Sequence, residues 1–302
     1  DRPGGRRPPT EAAFAAAAWP ALHYRRRVLV TMRAMYTLAA LMGFAFVLYD
    51  NLDQQGMIFV FLLLFAAGVT LDRVATRREW HRKYLDYRAL AEGLRVQSYW
   101  RRAGLSMTGD AEFAHDNFLQ KQDVDLGWIR NVMRAGALQA AAHGARDPDL
   151  QAVIEEWVGA SGGGGQLRYY EQRLAERTRH HRLTETIGGF TLWTGIAISI
   201  FLAAFVFRLR PDVQGVLVAL MAVLSITAAV REAYAWRKAD RELIKQYRFM
   251  RRIFANARNA LDRTTDPFEQ REILRALGEA ALAEHAEWTL MHRERPLERA
   301  RM

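Results

Sequence analysis

Residues 34–49 read AMYTLAALMGFAFVLY and residues 56–71 read GMIFVFLLLFAAGVTL, joined by the short polar turn Asp50-Asn51-Leu52-Asp53-Gln54-Gln55. A second pair follows at residues 186–207, TIGGFTLWTGIAISIFLAAFVF, and 213–230, VQGVLVALMAVLSITAAV, joined by Arg208-Leu209-Arg210-Pro211-Asp212. None of the four runs carries a charge. A bilayer core about 30 Å thick takes roughly 20 mostly apolar residues in helix, with roughly 17 tolerated. The second pair meets that outright, and the first reaches about 20 once residues 28–32 are added and Arg33 snorkels. Two buried soluble hairpins are the plainer alternative, but four uncharged runs in two closely spaced pairs fit a soluble fold poorly. The expected fold is all-α: a polytopic membrane protein with four transmembrane helices in two hairpins, each followed by a long cytoplasmic helix.

The 302 residues carry a formal net charge of +10, mostly arginine, since Lys83, Lys121, Lys238 and Lys245 are the only lysines. Phosphate contacts to nucleic acid are one use for Arg25-Arg26-Arg27 and Arg251-Arg252. The placement fits the positive-inside bias better. Arg25, Arg26 and Arg27 precede the first run, and Arg73, Arg77 and Arg78 follow the second. Arg177, Arg179 and Arg182 precede the third, and Arg231 and Arg237 follow the fourth. Both termini and the middle segment are therefore expected in the cytoplasm and both tight turns outside, although Arg208 and Arg210 sit in the second turn. With no cysteine, neither a disulfide nor a thiolate metal site can form. The first 20 residues lack the apolar core of a signal peptide.

Residues 1–20, rich in Pro, Gly, Arg and Ala, read as a linker from a preceding domain. Residues 21–102 form the first two-span unit with its cytoplasmic helix, in which Trp80, Tyr84, Tyr87, Ala91 and Leu94 recur on one helical face, running on from the second span. Residues 103–165 are a cytoplasmic helical connector with Val124, Trp128, Ile129, Val132 and Leu138 as apolar positions, then a helix over 149–158 and the flexible run 161–165. Residues 166–302 form the second two-span unit and its tail, where Leu243, Tyr247, Met250, Phe254, Ala257 and Leu261 keep a heptad-like rhythm. A last amphipathic helix starts at Asp266-Pro267 and carries Ile273, Leu274, Leu277 and Leu282. A shift of about 156 residues superimposes the two hairpins and puts Trp80 on Trp236, an architectural duplication.

Catalytic signatures are missing. Gly162–Gly165 lacks the Lys-Ser/Thr ending of a phosphate loop, and no Gly-x-Ser-x-Gly elbow occurs. His181 and Glu185 lie one helical turn apart, a spacing that could seat a metal but with no evident third ligand. Asp110, Glu112, His115 and Asp116 do not match a calcium loop. The chain is expected not to be an enzyme and to need neither cofactor nor metal. The apolar runs say more. Gly188, Thr191, Gly195, Ser199 and Ala203 make a stripe of small residues on the third, and Gly215, Ala219, Ala222, Ser225 and Ala229 one on the fourth. Plain span packing explains such stripes. The sharper reading is that Thr191, Thr194, Gly195, Ser199, Ser225 and Thr227 partly line a water-filled path. Asp50 and Asp53 are ordinary turn residues or an acidic outer mouth favouring cations. Arg33 is the ionisable group at membrane depth, snorkelling or functional.

Tyr87-Arg88-Ala89-Leu90-Ala91-Glu92-Gly93-Leu94-Arg95-Val96-Gln97 followed by Trp100 resembles the helix after the second span in SMODS- and SLOG-associating two-transmembrane effector (SLATT) domains. Trp128-Ile129-Arg130, Gln166 with Tyr169-Tyr170, and Glu287-Trp288 with residues 292–298 are similar to further stretches of that family. The resemblance spans roughly residues 20–300 as two units in tandem. It implies a bacterial inner-membrane effector of conflict or antiphage defence, a homo-oligomeric pore gated by a fused or associated nucleotide-sensing domain of SLOG type, related to that of melastatin-type TRP channels. The implied partners are membrane lipids, permeant ions, other copies of the chain and the sensor, with no nucleic acid. The alternative is a non-conducting anchor that clusters a cytoplasmic sensor or effector.

Overall fold

The structure is a computed structural model and describes residues 9–51, 54–105, 126–142, 149–159, 164–205, 207–238 and 240–294. Among the described residues the fold is all-helical, without strands. The helices are α1 (Pro9–Asn51), α2 (Met57–Arg77), α3 (Trp80–Arg102), α4 (Gly127–Ala142), α5 (Leu150–Val153, continued by one π turn at Ile154–Val158), α6 (Gly165–Phe205), α7 (Pro211–Lys238), α8 (Asp240–Leu261) and α9 (Pro267–Glu294). Four of them, α1, α2, α6 and α7, contain stretches long and apolar enough to cross a membrane.

The contacts sort the chain into two compact units that do not follow the tandem boundaries drawn along the sequence. One, the core unit, is Asp1–Arg26, Trp80–Arg173 and Gln246–Met302; the other, the apolar unit, is Arg27–Glu79 and Leu174–Lys245.

The core unit is built like a soluble domain. Leu90, Leu94 and Trp100 of α3 pack with Ile129 and Met133 of α4, Ile154 and Trp157 of the π turn, Met250 and Phe254 of α8, and Leu274 and Leu277 of α9. The apolar face read along residues 243–261 is the buried one at Met250, Phe254, Ala257 and Leu261. The helix ends follow local chemistry. Asp149 accepts a hydrogen bond from the Ala152 amide at 3.0 Å and caps α5. Asp266 accepts from the Phe268 amide at 3.1 Å ahead of Pro267, whose ring suits a first helical position.

Four expectations need revision. The stretch read as linker is helical from Pro9, and Ala17 packs in the core. The helix after the second span does not run on: α2 ends at Arg77, and Glu79 takes a left-handed φ of 51° before α3 begins. On α4 the buried positions are Ile129 and Met133, while Val132 and Leu138 face outward and Trp128, partly exposed, meets the Tyr87 ring of α3 edge to face; Val124 lies outside the described residues. Both faces of α4 are apolar, and packing against α3 chose between them. Finally, the glycine run is partly a crossing of two backbones. A Cβ at Gly165 would sit 2.6 Å from the Gly159 nitrogen, and one at Gly159 would sit 2.7 Å from the Gly164 carbonyl oxygen. Only glycine fits both, and residues 161–163 lie outside the description.

The apolar unit is built the other way out. α2 buries no residue, and large side chains face outward: Phe59 is 73% exposed, Leu63 71%, Phe190 74% and Trp193 68%. Water-soluble surfaces rarely carry contiguous apolar area on this scale. Hydrocarbon is the solvent that such helices match, because their backbone polar groups are already paired within the helix.

Candidate functional site in the apolar helices

α1 and α7 run antiparallel, and their pairing can be followed residue by residue. The Tyr36 hydroxyl donates to the Ala233 carbonyl at 3.1 Å, and the Tyr36 and Tyr234 rings meet edge to face with centroids 5.3 Å apart. Further along, a Cβ on Gly43 would come within 2.7 Å of Ile226 Cγ2, so the glycine is what lets the two helices approach there. Between these points lies a cavity of about 540 Å³. One end is polar, with Arg33, Tyr36, Arg231 and Tyr234; the other is apolar, with Leu41, Phe44, Val223 and Ile226. The geometry brings Arg33 and Thr227, separate features of the sequence, to one groove.

Arg231 also ties α7 to α6. Its guanidinium donates to the Thr184 carbonyl and passes over Gly188, where any Cβ would collide with it. Its second terminal nitrogen lies 3.6 Å from Glu232. Gly188, read as one step in a packing stripe, therefore makes room for a cation. α1 and α2 meet at Phe46 and Phe61, with ring centroids 6.2 Å apart.

The hydroxyls of the sequence stripe share one habit. Thr191 donates to the Ile187 carbonyl at 2.8 Å, Ser199 to Gly195 at 3.0 Å, Ser225 to Met221 at 2.9 Å and Thr227 to Val223 at 2.8 Å. Each hydroxyl proton is satisfied one turn back in its own helix, which lowers the cost of placing it in hydrocarbon. Ser199 also lies 2.9 Å from the Met221 sulfur, so it and Ser225 converge on one methionine. Ser199, Ser225 and Thr227 are exposed, whereas Thr191, Thr194 and Gly195 are half-buried. Asp50 is exposed near the end of α1; Asp53 lies outside the described residues.

The His181 ring nitrogen lies 3.2 Å from Glu185, and among the described residues no third His, Asp or Glu joins them to make a metal-binding group. Asp110, Glu112, His115 and Asp116 lie outside the described residues.

Sequence reasoning missed a charged seam in the core unit, along the α3–α9 contact. Glu92 pairs with Arg95 and lies 3.6 Å from His285, whose side chain is 7% exposed. The Arg88 guanidinium lies over the Trp288 ring at 3.9 Å and donates to the Tyr84 hydroxyl at 3.1 Å. Arg293 approaches Asp86 at 3.8 Å. Burial pushes the His285 pKa down to about 4 against the pull of Glu92, so the ring is neutral at pH 7. Burial disfavours the Glu92 carboxylate, yet Arg95, His285 and Arg88 together hold its pKa below the usual value. Arg88, Glu92 and Arg95 recur at steps of four and three, a stripe that reads as a solvated face until its partners on α9 are seen. Its evident work is to fix one helix register.

The fold and the outward-facing spans define a class: an all-helical protein with four helices long and apolar enough to cross a bilayer, joined to a packed helical core unit. No protein-family model, no curated protein and no solved structure matches the chain.

Proposed function

We propose that the chain is the membrane subunit of a homo-oligomeric pore in the bacterial inner membrane, an effector of the tandem SLATT type. α1 with α2, and α6 with α7, form two hairpins whose tight turns lie outside. Both termini and the core unit lie in the cytoplasm, where a fused or associated nucleotide-sensing domain opens the pore. The observation that carries this reading is a pair of hydroxyls set among exposed apolar side chains: α2 presents Phe59, Leu62, Leu63 and Phe65 outward, while α6, which also exposes Phe190 and Trp193, and α7 bring the exposed Ser199 and Ser225 together at Met221. Lipid suits the first face, and subunits around a shared axis suit the second.

The chain has no cysteine, so single-cysteine substitutions report cleanly. Ser199→Cys and Ser225→Cys, reconstituted in dye-loaded vesicles, should react with a membrane-impermeant thiol reagent and change dye or ion flux, while Phe59→Cys and Leu63→Cys should do neither. Equal protection of all four positions and unchanged membrane conductance would leave the second reading, a non-conducting anchor. That reading draws on the hydroxyls of Thr191, Ser199, Ser225 and Thr227, which are paired within their own helices and need no water.

A further inference from the structure

We propose that the groove between α1 and α7 binds an anionic phospholipid, its phosphate at the Arg33 end and the start of an acyl chain along the apolar end. The inference rests on the membrane placement of these helices and not on their forming a pore.

The charge is one-sided. No carboxylate lines the groove, and among the described residues Arg33 makes no hydrogen bond or ion pair. The Nε of Arg231 is buried without a hydrogen-bond partner, although the rest of its guanidinium is held by Thr184 and approached by Glu232. A cation left unmatched at the margin of an apolar helix calls for an anion at the same depth. The Tyr36 hydroxyl, having donated its proton to Ala233, keeps acceptor capacity only, so the arginines supply the donors.

The dimensions point to a lipid rather than a small soluble anion. From Arg33 to Phe44 the groove follows α1 for about 16 Å, at about 1.5 Å per residue. That is about half of a hydrocarbon core of about 30 Å, or one leaflet. The volume of about 540 Å³ is of ligand size, and most of it is walled by Leu41, Phe44, Val223, Ile226 and Val230. Inorganic phosphate would fill the head and leave the apolar length empty. A phospholipid fills both, with its polarity running in the same direction as that of the groove.

The test uses the full chain in nanodiscs of equal phosphatidylglycerol and phosphatidylcholine carrying a photoactivatable phosphatidylglycerol, with cross-linked peptides read by mass spectrometry. Labelling should fall on residues 36–44 and 223–230, be competed by unlabelled phosphatidylglycerol and not by phosphatidylcholine or inorganic phosphate, and drop about fivefold in Arg33→Gln, the worth of about one interfacial charge. Leu41→Trp, at a half-exposed position that tolerates the larger ring, fills the apolar end without touching the charge and should lower labelling as well. Equal labelling by the two lipids, indifference to both substitutions, competition by inorganic phosphate, or cross-linking of Thr37→Cys to a second copy in place of lipid would each overturn the proposal. If alkaline carbonate strips the chain from membranes, the membrane placement itself falls. An integral protein without the lipid preference loses only this site.

Discussion

Replacing Gly278 with alanine tests how α3 and α9 are held. Gly278 is helical, so alanine should on propensity alone stabilise α9 by about 1 kcal/mol. The Trp100 ring opposes this. It lies over the glycine, and a Cβ there would fall well inside contact distance of its Cε2, Cζ2 and Nε1 atoms. The ring has little freedom to retreat, being 5% exposed with its Nε1 donating to the Leu274 carbonyl at 3.0 Å, one turn before the glycine. Overpacking of this kind costs about 1–3 kcal/mol, and weakening the hydrogen bond adds about 1 kcal/mol. The net expectation for Gly278→Ala is a loss of about 1–3 kcal/mol, against a total stability of about 5–15 kcal/mol for ordinary domains.

A double-mutant cycle isolates the contact. Trp100→Leu removes the ring and is itself destabilising, through the cavity it leaves. In that background Gly278→Ala should be neutral or slightly stabilising, because only the helix-propensity gain remains. Thermal melts of the four proteins in detergent, followed by far-ultraviolet circular dichroism, give the coupling. The same loss from Gly278→Ala with and without Trp100 would show that the ring does not restrain the helix, and the account of the α3–α9 contact would be wrong.

Other perturbations test separate parts of the molecule. His285 has a folded pKa of about 4, below its ordinary 6.5. As pH falls from about 6.5 to about 4 the unfolded chain takes up a proton that the folded chain refuses, so stability should decline across that window, and His285→Gln should flatten the decline in melts taken at successive pH values. The lowered pKa of Glu92 adds a loss with the same sign at more acidic pH. Gly43→Val should push α1 from α7 by forcing a branched side chain against Ile226, read as a loss of cross-linking by a short bismaleimide between cysteines placed at Tyr36 and Ala233. Arg258 donates to the Gly159 carbonyl at 2.9 Å and pairs with Asp262; Arg258→Leu should cost about 1–3 kcal/mol in thermal melts, and Asp262→Asn distinctly less.

How far the sequence spoke depended on what each signal reports. Uncharged runs report length and apolarity, and all four were legible because each falls in a helix long and apolar enough to cross a membrane. Helical periodicity reports which face is apolar, so α8 and α9 were legible through Met250, Phe254, Leu274 and Leu277. It fails where both faces are apolar, as on α4, and where a buried face is charged, as with Arg88, Glu92 and Arg95 on α3. A paired charge and a solvated one look alike until the partner is in place. His285 lies far along the chain from Glu92, and no local pattern links them. The break at Arg78–Glu79 was hidden for another reason: Arg, Glu and Trp all continue a helix readily, and no glycine or proline marks the left-handed Glu79.

Within the candidate site, the sequence named the right kinds of residue but assigned their purpose by composition. A stripe of small residues suggests helix backbones in contact along its whole length. The helical glycines that close contacts act each against one particular group: Gly43 against Ile226 and Gly188 against the Arg231 guanidinium in the apolar unit, Gly278 against the Trp100 indole in the core unit. Only Gly188 belongs to a stripe, and what it admits is a charge. That changes what a substitution there would mean. A side chain at Gly188 would displace Arg231 from the Thr184 carbonyl and alter the polar end of the α1–α7 groove. Flux and lipid labelling are both read under Gly188→Ala: loss of labelling with intact flux places the function of the glycine in the groove, whereas loss of flux with intact labelling places it in the proposed pore.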